Sequence, residues 1–361
     1  MKNISLKILL LVAFCGVTTL QYSCQKTPKE QIVLSDKIQP LAEDNIFRDN
    51  AYFNWCNSII RGNDGKYHMF YARWNREKSF DAWLTHSTVA HAISDSPTGP
   101  YTYVNTVIDF EQDNYKAGSM ITAHNPKIKY FNGKYHLYFI STHLNHDITN
   151  DSLLKIGRIG WHMKDNDRRY LREKQRTYVA ECDDLNGKWE INPKSLLEPT
   201  GPITTLVVNP AITQGPDNCY YMIVKGDKPG TTKFERNQAV AVSDYPDRDF
   251  VLQPKPVIKD WDTEDVSMWY DDNSQRFYAV FHAHKYIGMM TSTDGINWEK
   301  AKDFTITKKC LARAESQDSI RPVRMERPFV YVEGNEPKVL SMAVMVKGGD
   351  TYIVMVPLKE K

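Results

Sequence analysis

Three carboxylic acids stand at the starts of two aromatic-rich segments in the C-terminal third of the chain. Glu264 and Asp265 open the run EDVSMWYDDNSQRFYAVFHAH, and Glu326 opens the run ERPFVYVEGNEPKVLSMAV. A protonated carboxyl group can assist a leaving oxygen, and an ionised one can activate water or attack carbon, so this set suits acid–base catalysis. Neighbouring residues of a regular strand point to opposite faces, so we expect only one of Glu264 and Asp265 to line a shared site. The alternative is that these acids pair with nearby arginines and only hold neighbouring sheets together.

Segments of the same type occur five times along the chain. Each begins with a polar residue, continues as a short apolar strand, turns, and returns as an aromatic-rich strand. The five starting residues are Asn57, Asn125, Asn209, Asp265 and Glu326. Alignment of these starts favours Asp265 as the acid that points into a common site, with Glu264 as the second choice and Glu326 as the opposing carboxyl.

Turn sequences between the paired strands predict a hairpin in each segment. Asn63-Asp64-Gly65 and Asn132-Gly133 have the composition that tight hairpin turns require. The first four segments are followed by a further strand and an Asp-rich turn, as at 90–101 and 289–298. About five repeats of a four-stranded antiparallel unit predict an all-β fold, a five-bladed β-propeller.

The last predicted strand, at 351–357, has no outer partner within its own repeat. A segment from the other end of the chain can supply that partner and close the ring, and QIVLS at 31–35 is the predicted one. We therefore divide the chain into an export signal (1–23), a linker that contains the closing strand (24–44) and the propeller (45–361).

The N-terminal residues have the layout of a secretory signal. Residues 1–7 carry two lysines, and residues 8–20 are almost continuously apolar but too short to span a bilayer comfortably. Cys24 follows Ser23 shortly after this run, which resembles a bacterial lipoprotein signal in which the cysteine is lipidated. We expect an exported protein, anchored through Cys24 in the cell envelope (outer membrane or periplasm), with cleavage by an ordinary signal peptidase as the alternative.

Several inner-strand starts and outer turns resemble the five-bladed propeller glycoside hydrolases of families 43 and 117, over residues 45–357. The motifs that carry the resemblance are Asn125-Pro126, Asn209-Pro210, Glu264-Asp265, Glu326-Arg327-Pro328 and the turns at 94–101 and 292–298. The resemblance implies a carbohydrate substrate, a pocket on the propeller axis and inversion at the anomeric carbon. Family 43 enzymes carry an Asp base, an auxiliary Asp and a Glu acid in blades one to three, where this chain has Asn57, Asn125 and Asn209. Either the catalytic residues then lie in blades four and five, as they partly do in the family 117 pattern, or the protein has no catalytic activity.

The first residues of each inner strand of such a propeller point towards the axis, so polar residues there converge on one pocket. The residues that we expect to contact substrate are Trp55, Asn57, Arg73, His91, Asn125, Asn209, His284 and Arg327. The resemblance to family 117 implies a histidine acid shortly before the blade-five Glu. The corresponding residues here, 314–321, include no histidine. Glu315, Asp318 or a pocket histidine such as His282 could carry the proton instead.

The expected function is that of an exo-acting glycoside hydrolase on a plant or algal oligosaccharide. Two alternatives stay open. One is a non-catalytic glycan-binding propeller, because Asn keeps hydrogen-bonding capacity without providing a base. The other is a glycoside phosphorylase, which would need basic residues to hold phosphate. Two carboxyl groups facing each other favour hydrolysis, one acid ringed by Arg and His favours phosphorolysis, and no paired acids favours binding alone.

Charge and motif content exclude several other classes of function. The chain has 46 Lys and Arg against 44 Asp and Glu, and the part that begins at Cys24 is formally neutral. This balance gives no reason to bind nucleic acid or an anionic membrane surface, so we expect membrane contact through the lipid anchor alone. No cofactor or metal motif occurs, and we predict none, although a propeller axis can hold a structural calcium or sodium ion.

Overall fold

Five antiparallel sheets form a closed ring of blades. The computed structural model describes residues 29–160, 165–231, 235–259 and 263–360. Each of the five sheets has four strands, and in blades one to four their order across the sheet follows the chain. The prediction of an all-β, five-bladed β-propeller is confirmed. The predicted export signal and Cys24 lie outside the described residues.

The strands are numbered along the chain, and β1 (Ile46–Phe47) precedes the first blade. Blade one contains β2 (Tyr52–Arg61), β3 (Tyr67–Asn75), β4 (Thr88–Ser94) and β5 (Thr102–Ile108). Blade two contains β7 (His124–Phe131), β8 (Lys134–Thr142), β10 (Gln175–Cys182) and β11 (Glu190–Ile191). Blade three contains β12 (Thr204–Gln214), β13 (Tyr220–Asp227), β14 (Arg236–Ser243) and β15 (Val251–Pro256).

Blade four contains β16 (Glu264–Asp271), β17 (Arg276–Ala283), β18 (Tyr286–Ser292) and β19 (Glu299–Lys308). Blade five contains β22 (Arg324–Glu333), β23 (Glu336–Met345), β24 (Thr351–Pro357) and β1. Two strand pairs lie outside the blades: β6 (Asn114–Tyr115) with β9 (Ile148–Thr149), and β20 (Leu311–Ala312) with β21 (Ser319–Ile320).

The α-helices lie in the connections of blades one and two, and two of the three 3-10 helices precede the first blade. The α-helices are α1 (Trp83–His86), α2 (Asn150–Arg158) and α3 (Asn166–Glu173), and short 3-10 helices span Ser35–Lys37, Glu43–Asn45 and Phe80–Ala82. Thr149 and Asp165 cap α2 and α3 through side-chain oxygens that accept N–H groups of the first turn. The three α-helices share one apolar cluster that includes Leu84, Leu153 and Leu171. Among the described residues, none of the helices is long and apolar enough to cross a membrane.

Apolar side chains of adjacent blades pack against each other and hold the ring together. Between blades two and three, for example, Tyr138 and Val179 pack in one cluster with Val207, Met222 and Val224. Full burial of one such side chain contributes about 1.5–3 kcal/mol. The repeated interfaces therefore fix the five inner strands relative to one another.

Blade five takes its outer strand from the N-terminal part of the chain, but from a different segment than the sequence indicated. β1 pairs with β24 through Ile46 and Phe47. The prediction that 31–35 supplies this strand is wrong. Leu34 is instead buried in the core between blades four and five, and its N–H donates to Asp303 Oδ2 at 2.6 Å, so this segment is tied to blade four.

A β-bulge interrupts the innermost strand of every blade. The pairing register shifts within β2, β7, β12, β16 and β22. At each bulge one residue adopts the left-handed conformation, with φ between 43° and 63°. These five residues, called the axial ring below, are Cys56, Asn125, Asn209, Asp265 and Arg327. Asn and Asp enter this conformation more readily than most residues, which accounts for three of the five identities.

The bulges correct the sequence alignment in two blades. In blade one the equivalent of Asn125 is Cys56 rather than Asn57, and in blade five it is Arg327 rather than Glu326. A bulge turns successive side chains towards the same side of the strand, so the expected alternation fails there.

Candidate active site

Hydrogen bonds join the axial ring from blade to blade. Asn125 Nδ2 donates to Asn209 Oδ1 at 3.1 Å, and Asn209 Nδ2 donates to Asp265 Oδ1 at 2.7 Å. Arg327 Nη1 donates to the same Asp265 oxygen at 2.5 Å. In blade one, Cys56 Sγ lies 3.4 Å from His124 Nε2, and burial raises the pKa of this thiol to about 12, so it stays neutral.

A pocket of about 740 Å³ opens above the axial ring. The residue immediately before each axial-ring residue lines this pocket in every blade: Trp55, His124, Val208, Glu264 and Glu326. These five are called the upper tier. Two members of the axial ring, Asn209 and Arg327, also reach the pocket. The inner strands thus present two residues per blade to the axis, one facing the pocket and one at or below its base.

The remaining described wall of the pocket comes from connections and second strands. Blade one supplies the residues around its short helices, and blade two supplies the end of α3 and the start of β10. The other lining residues are Phe80, Asp81, Trp83, Ile140, Arg172, Gln175, Leu206, Lys225, Arg236, His282, His284, Lys309, Val323 and Arg324. The helical connections of blades one and two therefore close one side of the pocket.

Glu264 is an ionised carboxylate held by two cations. Lys225 Nζ donates to its Oε2 at 2.8 Å, and Arg236 pairs with its Oε1. Burial raises the pKa of Glu264, but Lys225, Arg236 and Arg327 more than offset this effect and hold the pKa well below its usual range. Glu264 is therefore charged throughout the neutral pH range.

His282 lies between two carboxylates and is poised to carry a proton. Its Nδ1 is 3.6 Å from Asp265 Oδ2 and 4.0 Å from Glu264 Oε1. Burial lowers the pKa of His282, but Asp265, Glu326 and Glu264 together raise it above its ordinary value. Asp265 itself is held ionised, because Arg327 lowers its pKa against the opposing effect of burial. A histidine whose charged form is favoured in this way can donate a proton and recover it.

Glu326 lines the pocket from the neighbouring blade and is among the carboxylates that raise the pKa of His282. Arg324 binds it through two nitrogens, with Nε at 2.8 Å from Oε1 and Nη2 at 3.2 Å from Oε2. The Arg324 guanidinium also lies 4.9 Å from the ring centre of Phe80 and 5.7 Å from that of Trp55. Charged groups and aromatic rings thus meet at the same corner of the pocket.

The carboxylates of both blade-four acids turn towards His282, contrary to strand alternation, although only Glu264 of the two lines the pocket. Ligand-type atoms of Glu264, Asp265 and His282 all lie within 4.8 Å of one another. The left-handed conformation of Asp265 is the cause, because it breaks the alternation of the strand. Glu264 lines the pocket, whereas Asp265 is buried beneath it, so the structure favours Glu264 over Asp265 as the acid that meets substrate.

Four predicted substrate contacts do not line the pocket: Asn57, Arg73 and His91 lie outside it, and Asn125 lies beneath it. Asn57 Nδ2 donates to Ser341 Oγ at 2.9 Å between blades one and five. Arg73 binds Asp49 and Tyr103, and His91 is bonded to His68 at 2.8 Å and stacked on Phe70. Each belongs to packing within or between blades. Asn125 lies in the axial ring beneath the pocket, while Trp55, Asn209, His284 and Arg327 line it.

The proposed substitutes for a histidine acid before blade five also lie elsewhere. Glu315 and Asp318 are exposed on the connection that precedes β22 and do not line the pocket. His282, the other predicted substitute, lines the pocket. The sequence did not indicate Asp81, Arg172 and Lys309, which come from connections and an element end without a repeating pattern. The alternative that the acids pair with nearby arginines holds for Glu326 with Arg324 and for Asp265 with Arg327.

The donor set in blade four does not fit a divalent cation. Lys225, Arg236 and Arg327 already compensate the two carboxylates, and their positive charges oppose a metal ion. On the axis below, Lys127 is buried and Lys129 half-buried on β7, and the ammonium of Lys129 reaches the carbonyl of Met268 across the ring at 3.5 Å. These amines disfavour an axial calcium or sodium ion, and the absence of a cofactor stays a prediction.

Comparisons with known proteins support the fold and do not name a family. No protein-family model and no curated protein matches the chain. A family 117 glycoside hydrolase from the marine bacterium Zobellia galactanivorans has a TM-score of 0.60 at 15% identity, over 90% of each chain. An α-L-arabinofuranosidase from Lactobacillus brevis gives 0.56 at 16% identity, over 90% of this chain and 94% of the other. A protein of unknown function from Dyadobacter fermentans gives 0.60 at 13% identity, over 90% and 100%.

These similarities confirm that the chain shares the five-bladed propeller of glycoside hydrolase families 43 and 117. At such identities the likeness extends to the arrangement of the blades. The reaction must therefore be inferred from the residues of the pocket.

Proposed function

We propose that this protein is a glycoside hydrolase that removes a terminal sugar from a plant or algal oligosaccharide. One observation carries the proposal: Glu264, Glu326 and a histidine of raised pKa, His282, meet in one axial pocket. Glycoside hydrolysis by the usual route needs one group that protonates the leaving oxygen and one that activates water or attacks carbon. Here the proton donor is a histidine rather than a second carboxylic acid.

The three groups have different roles in this proposal. His282 protonates the leaving oxygen, because the carboxylates of Asp265 and Glu264 favour its charged form. Glu326 is the base, because it is a pocket-lining carboxylate in the next blade. Glu264, clamped by Lys225 and Arg236, orients the substrate and sustains the charge of His282. Asp265 is a positioning residue beneath the pocket.

The shape of the pocket supports removal of chain ends. Phe80, Trp83 and Arg172 close the side formed by blades one and two, where an endo-acting enzyme would need an open groove. Arg172 is itself fixed by Asp227 through two hydrogen bonds of 2.6 and 2.7 Å. We further propose that the enzyme is exported and lipid-anchored through Cys24 in the cell envelope.

Phosphorolysis is the second candidate, and one observation favours it. Glu264 and Glu326 lie in neighbouring blades, and each has basic partners: Lys225 and Arg236 at Glu264, and Arg324 at Glu326. Such a ring of cations could hold phosphate in place of water. Product analysis separates the two reactions, because phosphorolysis yields a sugar phosphate only when inorganic phosphate is present.

The test is turnover of a panel of plant and algal oligosaccharides, with and without phosphate, by the wild type and by Glu264→Gln and Glu326→Gln. Loss of the base should lower kcat/KM of Glu326→Gln by about 10²- to 10⁴-fold. Glu299→Gln is the matched control, because Glu299 is an exposed glutamate of blade four that pairs with Arg276. Thermal melts check folding. Wild-type turnover that persists in both folded pocket variants would refute the proposal, and glycan binding without any turnover would favour the non-catalytic propeller.

A further inference from the structure

The described lining of the pocket has an excess of positive charge. Six of these residues are Lys or Arg and three are carboxylic acids: Arg172, Lys225, Arg236, Lys309, Arg324 and Arg327 against Asp81, Glu264 and Glu326. The whole chain, by contrast, is nearly balanced at 46 to 44. The excess is therefore a property of this pocket rather than of the protein.

Five of the six cations already have a carboxylate partner. Lys225 and Arg236 share Glu264, and the other pairs are Arg172 with Asp227, Arg324 with Glu326, and Arg327 with Asp265. Lys309 is the exception. Its Nζ donates to the carbonyl of Val323 at 2.7 Å, and it has no ion pair with any carboxylate in the described part of the chain. Two of its three N–H groups remain for a ligand.

Lys309 lies next to the corner where charge and aromatic rings meet. Burial lowers its pKa, Glu326 raises it and Arg324 lowers it further, so the three side chains share one local field. Arg324 uses Nε and Nη2 to bind Glu326, and its Nη1 makes no hydrogen bond to the described residues. The Lys309 ammonium and the Nη1 edge of Arg324 thus offer donors on the same side of the pocket.

We propose that the pocket selects a sugar that carries an oxyanion, either the carboxylate of a uronic acid or a sulfate ester, and that Lys309 and Arg324 bind this group. A sugar that fills the pocket removes water from Lys309. A neutral hydroxyl would accept a hydrogen bond but leave the positive charge uncompensated, whereas an oxyanion compensates it.

Aromatic side chains assign the oxyanion to a sugar rather than to a free ion. Trp55 and Phe80 flank Arg324 and line the pocket, and the half-buried Phe80 is the more exposed of the two, so aromatic surface lies beside the anion donors. Sugar rings stack on such surfaces, while inorganic anions gain nothing from them. That such a sugar is cleaved after it binds rests on the proposed hydrolase function. Binding itself can be measured independently of turnover.

The experiment is calorimetric titration of the wild-type protein with matched monosaccharides, which cannot be cleaved. The pairs are galacturonate with galactose, glucuronate with glucose, and sulfated with unsulfated galactose, and inorganic phosphate is titrated alone. The acidic member of at least one pair should bind about tenfold or more tightly than its neutral partner. Lys309→Met keeps most of the side-chain volume and should remove most of that preference. Lys302→Met, at an exposed position on β19, is the control and should leave it unchanged.

Equal binding of acidic and neutral partners in every pair would overturn the inference, and so would an unchanged preference in Lys309→Met. Phosphate that binds as tightly as the acidic sugars would assign the donors to a free anion and overturn the sugar assignment. Two results separate this inference from the proposed function. Cleavage of neutral oligosaccharides without acidic preference keeps the hydrolase and refutes the oxyanion site. Lys309-dependent binding of acidic sugars without turnover of any acidic oligosaccharide keeps the oxyanion site and refutes the hydrolase.

Discussion

The two halves of the axial ring share a backbone and differ in charge. Blades one to three contribute Cys56, Asn125 and Asn209, all neutral, whereas blades four and five contribute Asp265 and Arg327, which form an ion pair. The conformation is the same at all five positions, with φ between 43° and 63°. The repeated bulge therefore fixes where a side chain lies, and the residue type alone decides which half of the ring is charged.

The upper tier shows the same division. Blades four and five supply Glu264 and Glu326, while blades one to three supply Trp55, His124 and Val208. His124 is neutral, because burial and the charge of Arg327 hold its pKa well below its usual range. In the proposed hydrolase, blades four and five would therefore supply the groups for proton transfer, and blade one would supply the aromatic surface.

The largest stability effect is expected from Asp265→Asn. This substitution leaves the buried guanidinium of Arg327 without a carboxylate, and arginine cannot escape the penalty by losing its proton. Loss of one partner of a buried ion pair costs about 3–5 kcal/mol in the free energy of unfolding. Urea denaturation of the wild type and the variant measures the difference.

A double variant tests whether the cost arises from the unpaired charge. Asp265→Asn combined with Arg327→Met removes both charges and should recover most of the lost stability. If the effects were additive and the double variant were less stable than Asp265→Asn alone, the Asp265–Arg327 ion pair would not be what stabilises this half of the axial ring.

The charged half should also make stability depend on pH, through His282. Its pKa is raised in the folded protein, so its contribution is fully present below about pH 6.5 and is lost as pH rises through the folded pKa. Glu264 and Asp265 act in the opposite sense: their pKa values are lowered, so their contribution is lost on acidification below about pH 4. The wild type should therefore lose stability as pH rises through the pKa of His282. Thermal melts of His282→Gln from pH 5 to 9 should show a flatter alkaline limb, and an identical limb would contradict the assignment.

The sequence predicted the repeat, the fold and two of the pocket acids, because these depend on a pattern that recurs in each blade. It misplaced the register in blades one and five, because a bulge adds a residue that strand alternation cannot reveal. A usable signal was present: Arg327 precedes Pro328 as Asn125 precedes Pro126, so matching the prolines identifies the equivalent of Asn125 in blade five. Blade one has no proline after Cys56 and offers no such guide.

Features outside the repeat were the ones that the sequence did not indicate. The ring-closing strand has only two residues, Ile46 and Phe47, which is too short for any alternation to show. Lys309 and Arg172 reach the pocket from a strand end and a helix, so their positions depend on how the connections pack. The specificity inferred for the pocket depends in part on those connections, whereas Glu264 and Glu326 come from the repeated inner strands.

The smallest effect is expected in the neutral half, at Asn125. Asn125→Ala removes one hydrogen bond, from Nδ2 to Asn209 Oδ1, and places alanine in the left-handed conformation. The lost bond costs about 1 kcal/mol, and the backbone conformation adds about 1–2 kcal/mol for a residue with a Cβ that lacks a local polar group. Asn125→Gly loses the same bond without the steric cost and should therefore be less destabilised than Asn125→Ala. Urea denaturation should place both variants closer to the wild type than Asp265→Asn. A loss at Asn125 as large as that at Asp265 would mean that the backbone conformation, and not the ion pair, determines the stability of the axial ring.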